Sequence, residues 1–218
     1  MKKDIKKILS KKGPLAENEV KDLLRSYQIK TTKYKIVNKI KDLDDLDLKF
    51  PVALKICSSK ILHKTDVGGV KLDIKNMSEL KDTFKDFKKR FPKENLLVDQ
   101  MVKKGVEIII GLVQDPTFGL TIMYGMGGIF TELYEDVTFR VVPIERYDAE
   151  EMVNEIKGKK ILEGFRKMPA NKEMVIDLLM RVSNIGNELM DNINEMDLNP
   201  VFVYGDDICV VDAKLILK

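Results

Sequence analysis

The chain has 218 residues, 44% hydrophobic and 33% charged, enough for one large domain or two small lobes with a buried core. That balance excludes a disordered polypeptide. The 38 basic residues are nearly matched by 35 acidic ones, and a net charge of +3 argues against a nucleic-acid binder, which concentrates Lys and Arg.

The N-terminal stretch Met1–Gly13 is lysine-rich and lacks the apolar run of a signal peptide. Its Ile5, Ile8 and Leu9 give a narrow apolar helical face, suited to docking on its own domain or on a partner subunit. Pro14 opens a helix with Leu15, Val20, Leu23, Leu24 and Tyr27 on one face. A strand follows at Lys33–Val37, then a short charge-rich helix or loop to Phe50. Pro51 leads into the strand Val52–Cys57, whose apolar run is interrupted by Lys55. The loop Ile61–Gly69 carries the only histidine, and Val70, Leu72 and Ile74 then alternate as in a half-buried strand. Met77–Arg90 reads as a helix with Leu80, Phe84 and Phe87 at helical spacing.

Leu96–Val102, Val106–Val113 and Leu120–Tyr124 are apolar enough for central strands, separated by Lys104-Gly105 and Asp115-Pro116. A glycine loop at Gly125–Gly128 leads into a hairpin or irregular strands over Ile129–Ile144. Tyr147–Ile156 and Asn171–Asn192 read as helices, and the chain closes with strands at Val201–Tyr204 and Ile208–Leu217 around the turn Gly205-Asp206-Asp207. Cys57 and Cys209 lie in apolar, strand-like runs without CxxC spacing, so buried reduced thiols are expected, with no disulfide framework or zinc. No apolar run approaches the ~20 residues of a membrane helix, which leaves the cytoplasm as the expected compartment. Helices alternating with strands, then neighbouring strands, give an α/β or α+β fold in two lobes, 1–95 and 96–218.

Four features go beyond architecture. His63, with Lys64, Thr65, Asp66, Gly68 and Gly69 beside it, suits a loop handling phosphate, because a neutral imidazole (ordinary pKa about 6.5) is nucleophilic near pH 7. A surface histidine in a turn is the plainer alternative. Lys55 either holds phosphates as a point charge or snorkels from an edge strand. Glu107 opens an apolar strand and can meet a ribose, a metal or Lys55, or simply face solvent. The Gly125–Gly128 run can offer backbone N–H groups to an anion. In the C-terminal hairpin, Asp197 and Asn199 are two apart and share a side, and Asp212 on the returning strand can join them. Such hard oxygen ligands, completed by substrate phosphates, are what Mg²⁺ prefers.

Taken together, PVALKI, ILHKTDVGGVKLDI, GVEIIIGLVQDPTFG, YGMGGIFTELYEDVTFR and MDLNPVFV, in this order over nearly the whole chain, resemble an ATP-grasp domain, specifically the β subunit of ADP-forming acetate–CoA ligase. The resemblance implies an ATP-grasp fold with a nucleotide cleft between two lobes, taking ATP or ADP with Mg²⁺. It implies that Lys55 contacts phosphates, that Asp99, Gln100, Met101 and Val102 form the adenine-side hinge, that Glu107 lines the cleft, and that Gly127 and Gly128 cover the phosphates. Asn199 and Asp212 match the Mg²⁺ positions, and Asp197 the acid facing an incoming phosphohistidine. His63 would be a second phosphate carrier on a mobile loop hinged at Gly68-Gly69, with Arg140 and Arg166 as further phosphate-side residues.

The implied chemistry is acetyl-CoA + ADP + phosphate ⇌ acetate + CoA + ATP, shared with a CoA-binding α subunit in an α2β2 assembly, with no nucleic acid or membrane involved. One departure stands out: Gly164-Phe165-Arg166-Lys167 has lysine where the family usually has a second glycine. The segment around residues 38–50 is also short. The competing readings are a non-catalytic ATP-grasp-like regulatory module, disfavoured by retention of Lys55, His63, Asn199 and Asp212, and a succinyl-CoA synthetase-like β subunit.

Overall fold

The computed structural model describes residues 8, 10–61, 63–128, 136–162 and 170–218. They form two compact units: a small one of Pro14–Glu19 and Thr32–Lys103, and a large one made of the remaining described residues. The expected division at residue 95 would cut through the strand Asn95–Gln100, which is hydrogen-bonded on both sides within the small unit.

The small unit is built on four antiparallel strands, β2 (Tyr34–Val37), β3 (Val52–Cys57), β4 (Val70–Ile74) and β5 (Asn95–Gln100), in the order β2-β5-β3-β4. Every residue of β3 is buried, as its interior place requires. Helix α2 (Met77–Arg90) starts where Asn76 Oδ1 accepts from the Glu79 N–H at 3.0 Å, and Lys88, Lys89 and Arg90 complement the dipole of its last turn. Its Leu80, Phe84 and Phe87 join Val52, Leu54, Ile56, Ile74, Leu96 and Val98 in one core. Burying each such side chain stabilises the fold by roughly 1.5–3 kcal/mol. The short segment before Phe50 holds a 3-10 turn, Ile40–Leu43, which adds Leu43 to the core.

The alternation expected along β4 is interrupted. Val52 pairs with Ile74 but Leu54 with Lys71, so β4 spends three steps where β3 spends two. Asp73 takes up the extra residue at φ 58°, and Leu72 is left exposed.

The large unit holds a seven-stranded sheet ordered β1-β11-β9-β6-β7-β8, with β10 on β9. Its strands are β1 (Gly13–Pro14), β6 (Val106–Asp115), β7 (Gly119–Met126), β8 (Val137–Val141), β9 (Ile193–Val203), β10 (Ile208–Val210) and β11 (Ala213–Leu217). Helix α1 (Glu17–Ser26) precedes it in sequence, α3 (Arg146–Glu155) and the short α4 (Lys159–Leu162) follow β8, and α5 (Lys172–Glu188) leads into β9. Strand alternation sorts the sheet into two faces. Ile108, Ile110, Leu112, Ile122, Tyr124, Met196, Leu198 and Leu215 are buried on the face that meets α5. Glu107, Gly111, Val113, Asp197 and Lys214 take the other, open face. Between Ile108↔Val201 and Ile110↔Leu198, β9 carries one extra residue around the cis Asn199-Pro200 bond.

Gly125 and Met126, expected in a loop, are strand residues paired with Ile109 and Ile108. Strand β9 starts at Ile193, well before the expected Val201, and α5 ends at Glu188. Cys57 and Cys209 are buried and free, as expected. Among the described residues no helix is long and apolar enough to cross a membrane.

Helix α1 ends in two nested bonds, Ile29 N–H to the Leu24 carbonyl at 3.0 Å and Gln28 N–H to that of Arg25 at 2.9 Å. This ending puts Gln28 in the left-handed region at φ 61°, a place that favours glycine. Gln28→Gly is expected to stabilise the chain by about 0.5–1 kcal/mol, the left-handed strain relieved less the entropy that glycine loses. Urea unfolding at unchanged m-value measures it.

Candidate active site

In the small unit, Lys55 stands on an interior strand and does not snorkel. Its Nζ lies 2.8 Å from Glu17 Oε1 and 2.9 Å from Asp99 Oδ2, and the three side chains are 5%, 2% and 4% exposed. The register explains the Asp99 contact: Lys55 pairs with Leu97, so Asp99 is the diagonal neighbour on the same face. Glu17 comes from the first turn of α1 and gives its second oxygen, Oε2, to Lys64 Nζ. A buried ammonium is tolerable only when paired, and here two carboxylates hold it. Beyond Asp99, the Gln100 N–H donates to the Lys33 carbonyl and Met101 N–H to that of Pro51, and the unit ends at Lys103, just past Val102.

The His63 turn is closed by Gly68 N–H to the Thr65 carbonyl at 2.9 Å and Gly69 N–H to that of Lys64 at 2.7 Å. Arg90, its guanidinium over the Phe87 and Phe91 rings, donates to the carbonyls of Val67 (3.0 Å) and Gly68 (3.1 Å). Gly68 and Gly69, the hinge that the resemblance implies, are here both tied into the turn by backbone hydrogen bonds. Gly68 is needed for φ +64°, and Gly69 because a Cβ there would meet Ile56 Cδ1 at 2.3 Å. His63 itself projects into solvent, 76% exposed, with Nδ1 4.0 Å from Asp66 Oδ2.

The open face of the large unit brings together the residues expected in the C-terminal hairpin. Asp197 pairs across the sheet with Lys214 and Gly111, and Asn199 N–H donates to the Asp212 carbonyl at 3.1 Å. Burial raises the Asp197 carboxyl above its ordinary range; Lys214 opposes this, and the negative charges of Glu195 and Asp212 add to it. No three His, Cys, Asp or Glu side chains cluster as a metal site among the described residues. The Asp212 carboxylate and the Asn199 amide oxygen are nevertheless donor types that fit a Mg²⁺ ion whose remaining ligands are phosphate oxygens and water. Glu107 also stands on this face, and its carbonyl accepts from Gly127 N–H at 2.8 Å. A Cβ at Gly127 would lie 2.5 Å from Glu107 Cγ, so glycine is required for the close approach. Gly125 and Met126 lie in the strand, the Gly127 N–H is engaged, and Gly128, at φ +65°, is a turn residue just past the strand.

Arg140 is not brought to these residues. It pairs with Ile122, in the row of Leu112 and Met196, on the helix-covered face opposite Asp197. There Nη1 donates to Glu155 Oε2 at 3.1 Å, Nη2 pairs with Oε1, and Glu151 lies 3.6 Å away. Arg166, with the rest of Gly164–Lys167, lies outside the described residues, as does most of Met1–Gly13. Sequence reasoning missed Glu17, Arg90 and Asp136. Asp136 is buried and accepts from the N–H groups of Lys157 (2.7 Å) and Gly158 (2.8 Å). An acid in a first helical turn and a basic residue in a last one are ordinary helix features, so no signal marked Glu17 or Arg90.

These units and their residues define a class, a two-unit α/β domain with a buried lysine cluster and an oxygen-rich sheet face. The ATP-grasp domain model matches residues 7–217. A β subunit of acetate–CoA ligase [ADP-forming] II from Pyrococcus furiosus is 42% identical over 94% of this chain and 92% of its own. A structure of Candidatus Korarchaeum cryptofilum acetyl-coenzyme A synthetase 1, in complex with coenzyme A and Ca-AMPCP, is 40% identical with a TM-score of 0.89, covering 98% of this chain and 97% of that one. Another of the same protein, with coenzyme A and Mg-AMPPCP and its phosphohistidine segment pointing towards the nucleotide binding site, is 41% identical with a TM-score of 0.82, covering 97% and 96%. The chain belongs to the ATP-grasp family and, within it, to the β subunits of ADP-forming acetate–CoA ligases.

Lys55→Met is expected to cost about 3–5 kcal/mol, because Glu17 and Asp99 are left buried without their shared cation. Urea unfolding at constant pH reads this directly. Glu155 behaves differently: the hydrogen bonds from Arg140 and Thr138 hold its carboxyl below the ordinary range. Its pairing therefore stabilises the fold above the normal carboxylate range and is lost as the pH falls through the depressed one. Glu155→Gln is expected to cost about 0.2–1 kcal/mol at neutral pH, as for a half-exposed pair. Thermal unfolding across pH should show the gap between parent and variant closing in acid.

Proposed function

We propose that this chain is the nucleotide-binding β subunit of an ADP-forming acetate–CoA ligase, acting in acetyl-CoA + ADP + phosphate ⇌ acetate + CoA + ATP with a CoA-binding α subunit in an α2β2 assembly in the cytoplasm. The observation that carries this reading is the match along almost the full length of a β subunit, joined to a buried Lys55 and an accessible, sole His63. In the proposed cycle, phosphate reaches His63 from the partner. The nitrogen–phosphorus bond on His63 then breaks as a β-phosphate oxygen of ADP forms its bond to phosphorus, and the imidazole keeps the electron pair.

Lys55 holds nucleotide phosphates as a point charge, and Asp99 acts through it. Gln100–Val102 border the base, Glu107 the ribose side, and Gly127-Gly128 the phosphates. Asn199 and Asp212 are the residues to hold Mg²⁺, which, when bound, neutralises charge on the transferring group. Asp197, lifted above its ordinary range, faces the incoming phosphohistidine, with Arg166 as a further phosphate-side residue. Arg140 would have to exchange Glu155 for phosphate to take part. Catalysis of this kind is chiefly positioning and electrostatic stabilisation.

The test is to incubate the chain with γ-labelled ATP and Mg²⁺, alone and with its partner subunit. Acid-labile label on this chain, lost in His63→Ala, is the expected outcome. The same label surviving in His63→Ala would place the phosphoryl group elsewhere and defeat the relay.

A further inference from the structure

Glu17 belongs to none of the sequence blocks that mark the family, yet its side chain is the least exposed of the three charged groups around Lys55. We infer that Glu17 is a positioning residue for phosphoryl transfer, tying the turn that carries His63 to the lysine that holds phosphate. The inference rests on the phosphohistidine reading above and deepens it.

Four observations lead there. Both Glu17 oxygens are used, Oε1 by Lys55 at 2.8 Å and Oε2 by Lys64, so one rigid carboxylate spans the two lysines. Lys55 already has a second counter-ion in Asp99 at 2.9 Å, so charge neutralisation of Lys55 does not by itself demand Glu17. Lys64 is the residue after His63, and its side chain is only 15% exposed although the neighbouring His63 and Asp66 project into solvent. At the far end of the turn, Arg90 holds the Val67 and Gly68 carbonyls. The backbone from Lys64 to Gly68 is thus fixed at both ends, one of them by the carboxylate that also orients Lys55.

The placement matters because transfer between bound groups is acutely distance-dependent: a shift of ~1 Å can cost on the order of 100-fold in rate. The charges also make a distinguishing prediction. Glu17→Gln removes one negative charge beside Lys55 and Lys64, so it does not weaken the attraction of these lysines for phosphate. A positioning role thus separates transfer from binding, whereas general damage to the fold weakens both.

The experiment uses the enzyme assembled with its partner subunit and compares Lys64→Met, Glu17→Gln, the double variant and Lys64→Arg. Calorimetry gives the Kd for ADP, and γ-labelled ATP gives the rate at which acid-labile label appears on this chain after separation from its partner. In Lys64→Met, His63 labelling is expected to slow at least ~10-fold while the Kd changes less than ~3-fold. Glu17→Gln should show the same slowing with equal or tighter ADP binding, the double variant no further loss, and Lys64→Arg substantial recovery. Because Lys64 is partly exposed, its variants carry the test even if Glu17→Gln does not fold. Labelling of Lys64→Met at the parental rate, or losses that multiply in a folded double variant, would overturn the inference. Absence of label in the parent enzyme that binds ADP would instead defeat the phosphohistidine reading, and this inference with it.

Discussion

The placement of one positive charge, the Lys55 ammonium, governs the small unit. It sits on a strand with every residue buried, where an uncompensated ion would cost several kcal/mol, and the chain answers with carboxylates from two separate elements. Asp99 can serve only if β5 lies directly beside β3, and Glu17 only if the start of α1 reaches the same point. Both conditions shape the organisation of the chain. Residues 95–103 stay with the strands that precede them, and Pro14–Glu19 count with the small unit although the rest of α1 does not. A buried ion pair is weak grounds for stability but a stringent condition on geometry. Here it fixes which elements must meet.

The large unit obtains its arrangement of polar groups from register rather than from burial. Paired residues on neighbouring strands share a face, so the pairing of Asp197 with Gly111 and of Arg140 with Ile122 decides that these two side chains never project together. The extra residue near the cis Asn199-Pro200 bond breaks the regular alternation of β9. Without it, the apolar run Val201–Val203 would meet β6 with its faces exchanged. The bulge thus lets one strand carry polar side chains at its centre and still close the core at its end.

Much of this was legible in the sequence. Helix α2 appears at its expected limits because Leu80, Phe84 and Phe87 recur at helical spacing between Asn76 and a basic last turn. That Asp197 and Asn199 stand two apart in extended chain was readable, because both fall within β9. The burial of Lys55 followed from the apolar residues around it. Its partners did not, since Glu17 is 38 residues away and nothing local distinguishes it from any acid opening a helix. Leu72 was misjudged for a related reason: a bulge is a property of two strands together, and Asp73 gives no sign of its left-handed backbone until β3 is laid beside it.

Gly68 and Gly69 show most clearly how composition can mislead about mechanism. Two adjacent glycines suggest a hinge when only freedom of rotation is considered. In the fold that freedom is used up: one glycine supplies a left-handed residue and the other makes room for Ile56, while Arg90 and Lys64 hold the backbone on either side. A turn anchored in this way has lost part of its conformational entropy on folding, which in the proposed relay would lower the ordering cost of presenting His63. The consequence is a division of labour. In the proposed relay, a phosphate carrier on a held turn exchanges its group with donors and acceptors brought to it, and the residues around Glu17 would keep His63 in place.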